Sequence, residues 1–369
     1  MLYGYLNSPF VSNPFSDAAI PPSSVVFPVI SGSGVIGQTL STTNGTWSGT
    51  LPITYTYQWN RNGSIILGAT FNTYTLVTAD GSTSITCTVT ATNAGGSLSK
   101  SSNAISVAAA EDADANAFIA AAAITDATQK SAINTLVIDL KGYGIWTKMK
   151  AIYPMVGGTA SAHKWNLKTP IDSNSAYRLV FNGGWTHSST GAKPNGTNGY
   201  ANTFFNPITN GMTTANAHLA YYARTINTIS DGAEIGSYSS PMFGGYIIQG
   251  ISGGSLSGLN RYFYELVKGA SKAVATSPIG LILGSSISNS RRDIYNNGVS
   301  VGNNTLTDTN LLPNFNLYIG AGNIDNTGAG SYSNAQFALA SIGDGLTDTQ
   351  AANYYTAVQA FQTTLSRNV

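Results

Sequence analysis

The loop Asn182-Gly183-Gly184-Trp185-Thr186-His187, with Lys193-Pro194-Asn195-Gly196-Thr197-Asn198-Gly199-Tyr200 after it, carries the residue types that a sugar site uses. An aromatic face stacks on the apolar face of a pyranose ring, and amides and hydroxyls around it meet the ring's own hydroxyls. Asn182, Trp185, His187, Asn195, Asn198 and Tyr200 are therefore the candidate carbohydrate-binding residues. Trp185 has a second destination, the hydrophobic core, because a large indole is mostly buried on average.

Bond-breaking chemistry finds less support. Gly250-Ile251-Ser252-Gly253-Gly254 matches the G-x-S-x-G nucleophile elbow, but that turn needs a strand before it and a helix after it. Here Ser255-Leu256-Ser257-Gly258 continues a loop, and with 40 glycines in the chain such a match arises by chance. Gly32-Ser33-Gly34-Val35-Ile36-Gly37 matches the dinucleotide fingerprint and fails for lack of a surrounding βαβ unit. Glycoside hydrolysis needs two carboxylates across a groove, and on one strand these alternate. Asp231 and Glu234 are three positions apart, so a strand turns them to opposite faces, and Glu265 stands alone. The chain thus reads as non-enzymatic, with no catalytic residue.

Metal chemistry is equally thin. His163, His187 and His218 lack the close spacing of a zinc site and read as surface or hydrogen-bonded core residues. Cys87 is the only cysteine, which excludes an intrachain disulfide, and it reads as a small buried hydrophobe. Asn303, Asn304 and Asp308, or Asn323, Asp325 and Asn326, have oxygens for calcium, but Asn and Asp also make turns, and that reading is preferred. No cofactor and no metal are expected.

These residues need a frame, and the sequence points to β-strands. Only 9% of residues are charged, against roughly a quarter in ordinary globular proteins, and turn and strand formers abound. The stretch Ser290 to Gly322 is the kernel: Asn296-Asn297-Gly298 between Asp293-Ile294-Tyr295 and Val299-Ser300-Val301 suits a hairpin, and Leu317-Tyr318-Ile319 supplies a third linked strand. Further strands are expected at 176–181, 218–222, 245–249, 261–264, 280–283 and 336–340. Together these suffice for two sheets of a jelly roll. Thr347 and Gln350 have capping-box spacing, and Ala351, Tyr354, Tyr355, Val358, Phe361 and Leu365 form the apolar face of a last helix that presses on the sandwich.

Upstream, the chain divides by composition. Residues 1–27 hold four prolines that forbid a continuous helix, among aromatics too numerous for a solvated linker. They read as a docking arm with Tyr3, Tyr5, Phe10 and Phe15 as its anchors, lying on a neighbouring subunit or on its own chain. Residues 28–107 alternate as a compact all-β domain, with strands at Thr54–Trp59, Ile65–Leu67, Tyr74–Val77 and Ile85–Thr90. Residues 108–154 read as a helical connector of two helices, with Glu111, Asp112 and Asp114 at one N-terminus, Thr125 or Asp126 at the other, and Gly142 ending the second. Residues 155–369 form the last domain.

Gly45-Thr46-Trp47, Tyr55-Thr56-Tyr57-Gln58-Trp59-Asn60-Arg61-Asn62-Gly63, Gly68-Ala69-Thr70 and the run from Asp80 to Cys87 resemble the immunoglobulin-like modules of bacterial surface and phage proteins. The resemblance implies that Trp59 is the core tryptophan and that Cys87 lies opposite it. It departs from the antibody pattern in lacking a partner cysteine and in placing Ile85 where a corner tyrosine would stand. Ile294-Tyr295-Asn296-Asn297-Gly298, Leu317-Tyr318-Ile319-Gly320-Ala321 and Ser341-Ile342-Gly343-Asp344-Gly345-Leu346-Thr347 resemble concanavalin A-like, laminin-G-type jelly rolls over roughly residues 160–369.

The two in this order resemble a phage virion protein: a head fibre, capsid decoration or tail-attached adhesin. Host-surface glycan binding, a homo-oligomer and contacts to other virion proteins through the arm are what that resemblance implies. The alternatives are a glycan-degrading enzyme of the same fold and a bacterial cell-surface adhesin. A net charge of +1 without basic clusters gives no field for nucleic acid. No apolar run suits a membrane span, and Met1 to Tyr5 lacks the features of a signal peptide. Synthesis in a host cytoplasm and exposure on the particle are expected.

Overall fold

Alternating Thr and Tyr from position 54 put small polar side chains on one face of a strand and rings on the other. In the computed structural model this run is part of a strand that extends to Arg61. The structure describes residues 18–229, 232–238, 245–249, 261–265, 271–274, 279–304 and 312–369. The chain separates after Ala110 into two units.

The first unit has strands β1 (Ser23–Val26), β2 (Ile30–Ser31), β3 (Thr39–Thr42), β4 (Thr46–Ser48) and β5 (Thr54–Arg61). They are followed by β6 (Ser64–Ile65), β7 (Thr73–Thr75), β8 (Ser84–Asn93), β9 (Gly96–Ser101) and β10 (Ile105–Ser106). One sheet runs β10-β8-β5-β6 with β9 also on β8, another runs β2-β3-β7, and β1 pairs with β4. Trp59 and Cys87 are register partners across β5 and β8, and both are fully buried. The corner that lacks a tyrosine is held by Asp80, also fully buried. Its carboxylate accepts hydrogen bonds from Arg61 Nε (2.7 Å), the Tyr74 hydroxyl (2.9 Å) and the Val77 amide (2.8 Å).

Two expectations change here. The arm is shorter than 1–27, because β1 pairs with β4 and the Ile20 amide donates to Thr50 Oγ1. Tyr3, Tyr5, Phe10 and Phe15 lie outside the described residues. The strand expected at Ile65–Leu67 stops at Ile65: Ile66 turns in toward Trp59, while Leu67 is 93% exposed.

The second unit opens with helices α1 (Ala113–Ala121) and α2 (Ala127–Gly142), N-capped by Asp112 and Asp126. Strands follow: β11 (Met149–Tyr153), β12 (Val180–Asn182), β13 (Trp185–Ser188), β14 (Gly191–Pro194), β15 (Tyr200–Asn202), β16 (Ala217–Ala223) and β17 (Ala233–Tyr238), with the short helix α3 (Ala160–His163) after β11. The rest are β18 (Gly245–Gln249), β19 (Arg261–Glu265), β20 (Ser271–Val274), β21 (Gly280–Ser288), β22 (Arg291–Asn296) and β23 (Val299–Asn304). Then come β24 (Tyr318–Ile319), β25 (Gly322–Ile324), β26 (Gly328–Gly330), β27 (Phe337–Gly343) and helix α4 (Asp348–Thr364).

One sheet runs β13-β14-β27-β16-β21-β22-β23 with β11 also on β27; the other runs β12-β15-β24-β17-β18-β19-β20 with β25 and β26 attached. This is a mainly β sandwich of the jelly-roll kind. Strand β16 shows how the middle of the first sheet is buried on both faces. Leu219, Tyr221 and Ala223 enter the core between the sheets, while Ala220 and Tyr222 enter a second core under the helices. Phe118 of α1, Leu136, Val137 and Leu140 of α2, and Tyr354, Val358 and Phe361 of α4 fill that second core.

Residues 108–154 are thus not a connector. From Glu111 on they belong to the second unit, because an apolar helical stripe and an apolar sheet face bury each other, and Met149–Tyr153 pairs with β27. Two strand expectations shift too. The segment 176–181 starts as a turn, with Tyr177 left-handed (φ 60°), and pairs only from Val180. The hairpin at Asn297 (φ 49°) and Gly298 (φ 77°) forms between β22 and β23, but Tyr318 and Ile319 join the opposite sheet.

Candidate carbohydrate-binding site

The loop singled out in the sequence passes between the two sheets. Asn182 ends β12 and pairs with Tyr200 in one sheet, whereas Trp185 starts β13 and pairs with Pro194 in the other. The crossing is stitched by two amides. Asn195 Oδ1 accepts the backbone N–H groups of Thr197 (3.0 Å), Asn198 (3.1 Å) and Gly199 (3.0 Å). Asn198 Oδ1 accepts Asn195 Nδ2 (2.8 Å) and the Gly184 amide (3.0 Å). The bridge needs close backbones: Gly183 has φ 68°, and a Cβ there would collide with the Asn198 carbonyl. Asn195 and Asn198 therefore shape the loop with the groups that were expected to face a ligand.

Of its two destinations, Trp185 takes the one against the core. It is half-buried and packed on the inter-sheet cluster, its Nε1 donates to the Asn182 carbonyl (3.1 Å), and its ring end abuts Gly320. Phe181 meets it edge-on and His187 stacks on it at 6.1 Å.

A different aromatic surface lies across the sheet. Ala201 and Ile319, register partners, are fully buried, so alternation turns Tyr200, Asn202 and Tyr318 to the other face, with Val180 and Asn182 beside them on β12. Tyr200 and Tyr318 are half-exposed and stack at 4.7 Å with 30° between planes. Each covers one face of the other. Burial, and then the neighbouring Tyr200, raise the Tyr318 hydroxyl pKa, so it remains a neutral donor. Tyr200 is legible in the sequence as a candidate; Tyr318 is not, because only sheet pairing brings it alongside.

The histidines are not as separate as their spacing implies. His163 Nδ1 and His187 Nδ1 are 2.9 Å apart, with ring centroids at 5.1 Å. That combination puts the nitrogens nearly on the line between the rings, a head-on N–H···N bond rather than the converging lone pairs of a metal chelate. His163 is buried and its Nε2 has no partner among the described residues, so His163 Nδ1 carries the proton and His187 Nδ1 accepts it. Burial pushes the His163 pKa down to about 3, and His187 is lowered for the same reason. Among the described residues, no cluster of three or more metal-ligating side chains occurs.

His218 forms a chain that mimics a catalytic pair. Its Nδ1 donates to the Asp344 carbonyl (2.7 Å), so Nε2 accepts from Ser341 Oγ (3.2 Å), which in turn accepts from the Tyr354 hydroxyl (2.8 Å). Histidine, serine and tyrosine are all fully buried between β16, β27 and α4, where no substrate reaches them. The chain ties helix to sheet.

Carboxylates are similarly committed. Asp293 and Asp348 both bind Arg291, through Nε at 2.8 Å and Nη2 at 2.5 Å, and Tyr295 donates to Asp348 (2.6 Å). Desolvation raises the Asp293 pKa, whereas the Arg291 hydrogen bond lowers that of Asp348. One guanidinium bridges the two carboxylates, which is unlike an acid and base poised across a groove. Glu234 is buried on β17 with Ser333 Oγ donating to it (3.3 Å). Asp231, Ser252, Asp308 and the side chains of Glu265 and Asn304 lie outside the described residues. Asp325 and Asn326 are the left-handed turn between β25 and β26, and Asn323 is buried with its amide on the Asn316 carbonyl. Two clefts of about 240 and 250 Å³ share Asp126 and Gln129, and no aromatic ring lines either one.

No family model matches the sequence, and no curated protein does. Among solved structures, domain 4 of AbnA, an extracellular arabinanase from Geobacillus stearothermophilus in complex with arabinotriose, aligns at 13% identity and TM-score 0.40 over 56% of this chain and 98% of its own. The binding domain of Botulinum Neurotoxin DC in complex with SialylT aligns at 11% identity and TM-score 0.35, over 57% of this chain and 52% of its own. A Trypanosoma rangeli sialidase in complex with 2,3-difluorosialic acid aligns at 12% identity and TM-score 0.34, over 74% and 43%. At these scores nothing about ligand or activity follows.

Proposed function

We propose that the second unit binds a carbohydrate chain on Tyr200 and Tyr318 without cleaving it, and that the protein is a displayed, non-enzymatic part of a phage particle. One observation carries the binding reading: two partly exposed, mutually stacked tyrosines stand on a sheet face beside Asn182, whose Nδ2 donates to the Val180 carbonyl (3.0 Å), and Asn202, whose Oδ1 accepts the Phe204 amide (2.8 Å), so a sugar would meet Asn182 Oδ1 and Asn202 Nδ2. Free ring faces and hydroxyls beside amides are what a pyranose needs. Grip without cleavage is supported by the commitment of Asp293 and Asp348 to Arg291 and by the burial of Glu234.

The particle reading rests on sequence: a chain only 9% charged and an immunoglobulin-like segment followed by a jelly roll. In it, Tyr3, Tyr5, Phe10 and Phe15 anchor copies of the chain to each other or to other virion proteins. Mass spectrometry of purified particles checks this, and absence of the chain from them overturns it.

The binding test is affinity electrophoresis of the purified chain in gels containing host-surface polysaccharide. Tyr200→Ala and Tyr318→Ala should each weaken retardation about tenfold, from roughly 1–1.5 kcal/mol of lost stacking, while the fold, read by circular dichroism, is kept. Retardation unchanged in both variants removes the shelf from the account, and release of reducing ends shows cleavage and overturns the non-enzymatic reading.

A further inference from the structure

We infer that Phe204 extends the tyrosine shelf by a second stacking point, so that the site takes several linked sugars in a row; the inference rests on the shelf being the binding surface. From Tyr200 to Phe205 exposure alternates: Ala201, Thr203 and Phe205 are fully buried, while Tyr200, Asn202 and Phe204 are partly exposed. A strand turns alternate side chains to opposite faces, so Phe204 continues the row of Tyr200 and Asn202 just beyond the end of β15. Among the described residues, the inter-sheet core gathers Tyr177, Phe181 and Trp185 as its partly buried packers, and Phe204 is not one of them. Its neighbour Phe205 fills the core instead.

The backbone bends to put the ring there. In a regular antiparallel ladder Leu317 would exchange both hydrogen bonds with one residue. Here its carbonyl accepts the Thr203 amide (3.2 Å), whereas its amide donates to the Phe205 carbonyl (2.9 Å). Phe204 stands at the tip of the bulge between them, left-handed at φ 55°, with its amide held by Asn202 Oδ1 (2.8 Å). A bulky side chain rarely adopts that backbone, glycine adopts it readily, and bulges re-aim side chains beside functional sites. The strain is thus kept for a ring that the core does not use. Tyr200 and Phe204 are four residues apart, up to about 13 Å along a strand. One pyranose in contact with the tyrosine pair ends short of that distance; a second or third sugar linked to it reaches Phe204.

The full-length chain and its Phe204→Gly, Phe204→Tyr, Tyr200→Ala and Tyr318→Ala variants are run through gels containing β-glucan, galactan, mannan, polygalacturonate or polysialate. Fragments of the retarding polymer, from single sugars up to long oligomers, serve as competitors. Phe204→Gly should weaken retardation roughly fivefold, and Phe204→Tyr should keep it. Competition should rise with fragment length in the native chain and stop rising after the shortest fragments in Phe204→Gly. That variant should also melt no lower than the native chain, because the left-handed strain is relieved. Native retardation in Phe204→Gly, with loss in both tyrosine variants, overturns the role of Phe204 while the shelf stands. A lowered melting point in Phe204→Gly, or equal weakening toward fragments of every length, marks the ring as packing and overturns that role as well. Retardation by no polymer, or retardation that both tyrosine variants keep, overturns the shelf and the second contact with it.

Discussion

A histidine taken out of water is held neutral, and this chain does so with all three of the histidines it contains. Desolvation moves His163 to about 3 and His218 to about 4, below the ordinary 6.5, and lowers His187 as well. Folded-state values below the unfolded one mean that the unfolded chain binds more protons under pH 6.5. Stability is therefore full above that pH and falls as the solution is acidified toward the folded values. Between pH 7 and pH 5 the second unit should lose about 4 kcal/mol from His163 and His218 together, at roughly 1.4 kcal/mol per pH unit below 6.5 for each. Urea titrations at the two pH values measure the loss, and His218→Gln should flatten the slope. An equal urea midpoint at both pH values contradicts the burial of these rings. Little of this is legible in the sequence: His163 and His187 are 24 positions apart and meet only because α3 and β13 end at the same place. Trp185 read both ways in the sequence, because an indole serves a core and a ligand equally well.

Among the elements, the loop between β12 and β15 depends on a glycine that touches no ligand. Gly183 is left-handed and lies against the Asn198 carbonyl, so Gly183→Ala must push the two halves of the crossing apart. The expected cost is about 2 kcal/mol, together with loss of glycan retardation because Tyr200 is displaced. Thermal melting alongside affinity gels checks both. Local chemistry made several elements readable in advance. Thr347 and Gln350 do form a capping box, with the Gln350 amide on Thr347 Oγ1 at 3.3 Å, and Asn297-Gly298 does turn the hairpin. What could not be read was pairing at a distance. Tyr318 follows the hairpin in sequence but crosses to the other sheet, and the helices that looked like a connector find their partner in β16, β21 and β27.

For the molecule as a whole, each unit has its own core: Trp59, Cys87, Ile85 and Val89 centre the first, and the clusters on either side of β16 form the second. Calorimetry should therefore resolve two transitions. Asp80→Ala leaves Arg61 and the Tyr74 hydroxyl without their buried acceptor, so it should lower the first unit's transition by about 3 kcal/mol and leave the other in place. A single transition shifted as a whole would show that the two cores unfold as one.

The helices over β16, β21 and β27 give the jelly roll a back and a front. Because β16 and β27 are packed on both sides, nearly every change there is a change in foldedness. Changes on the tyrosine side reach a partly exposed surface instead, so a lineage could vary that surface freely while the scaffold behind it stayed fixed.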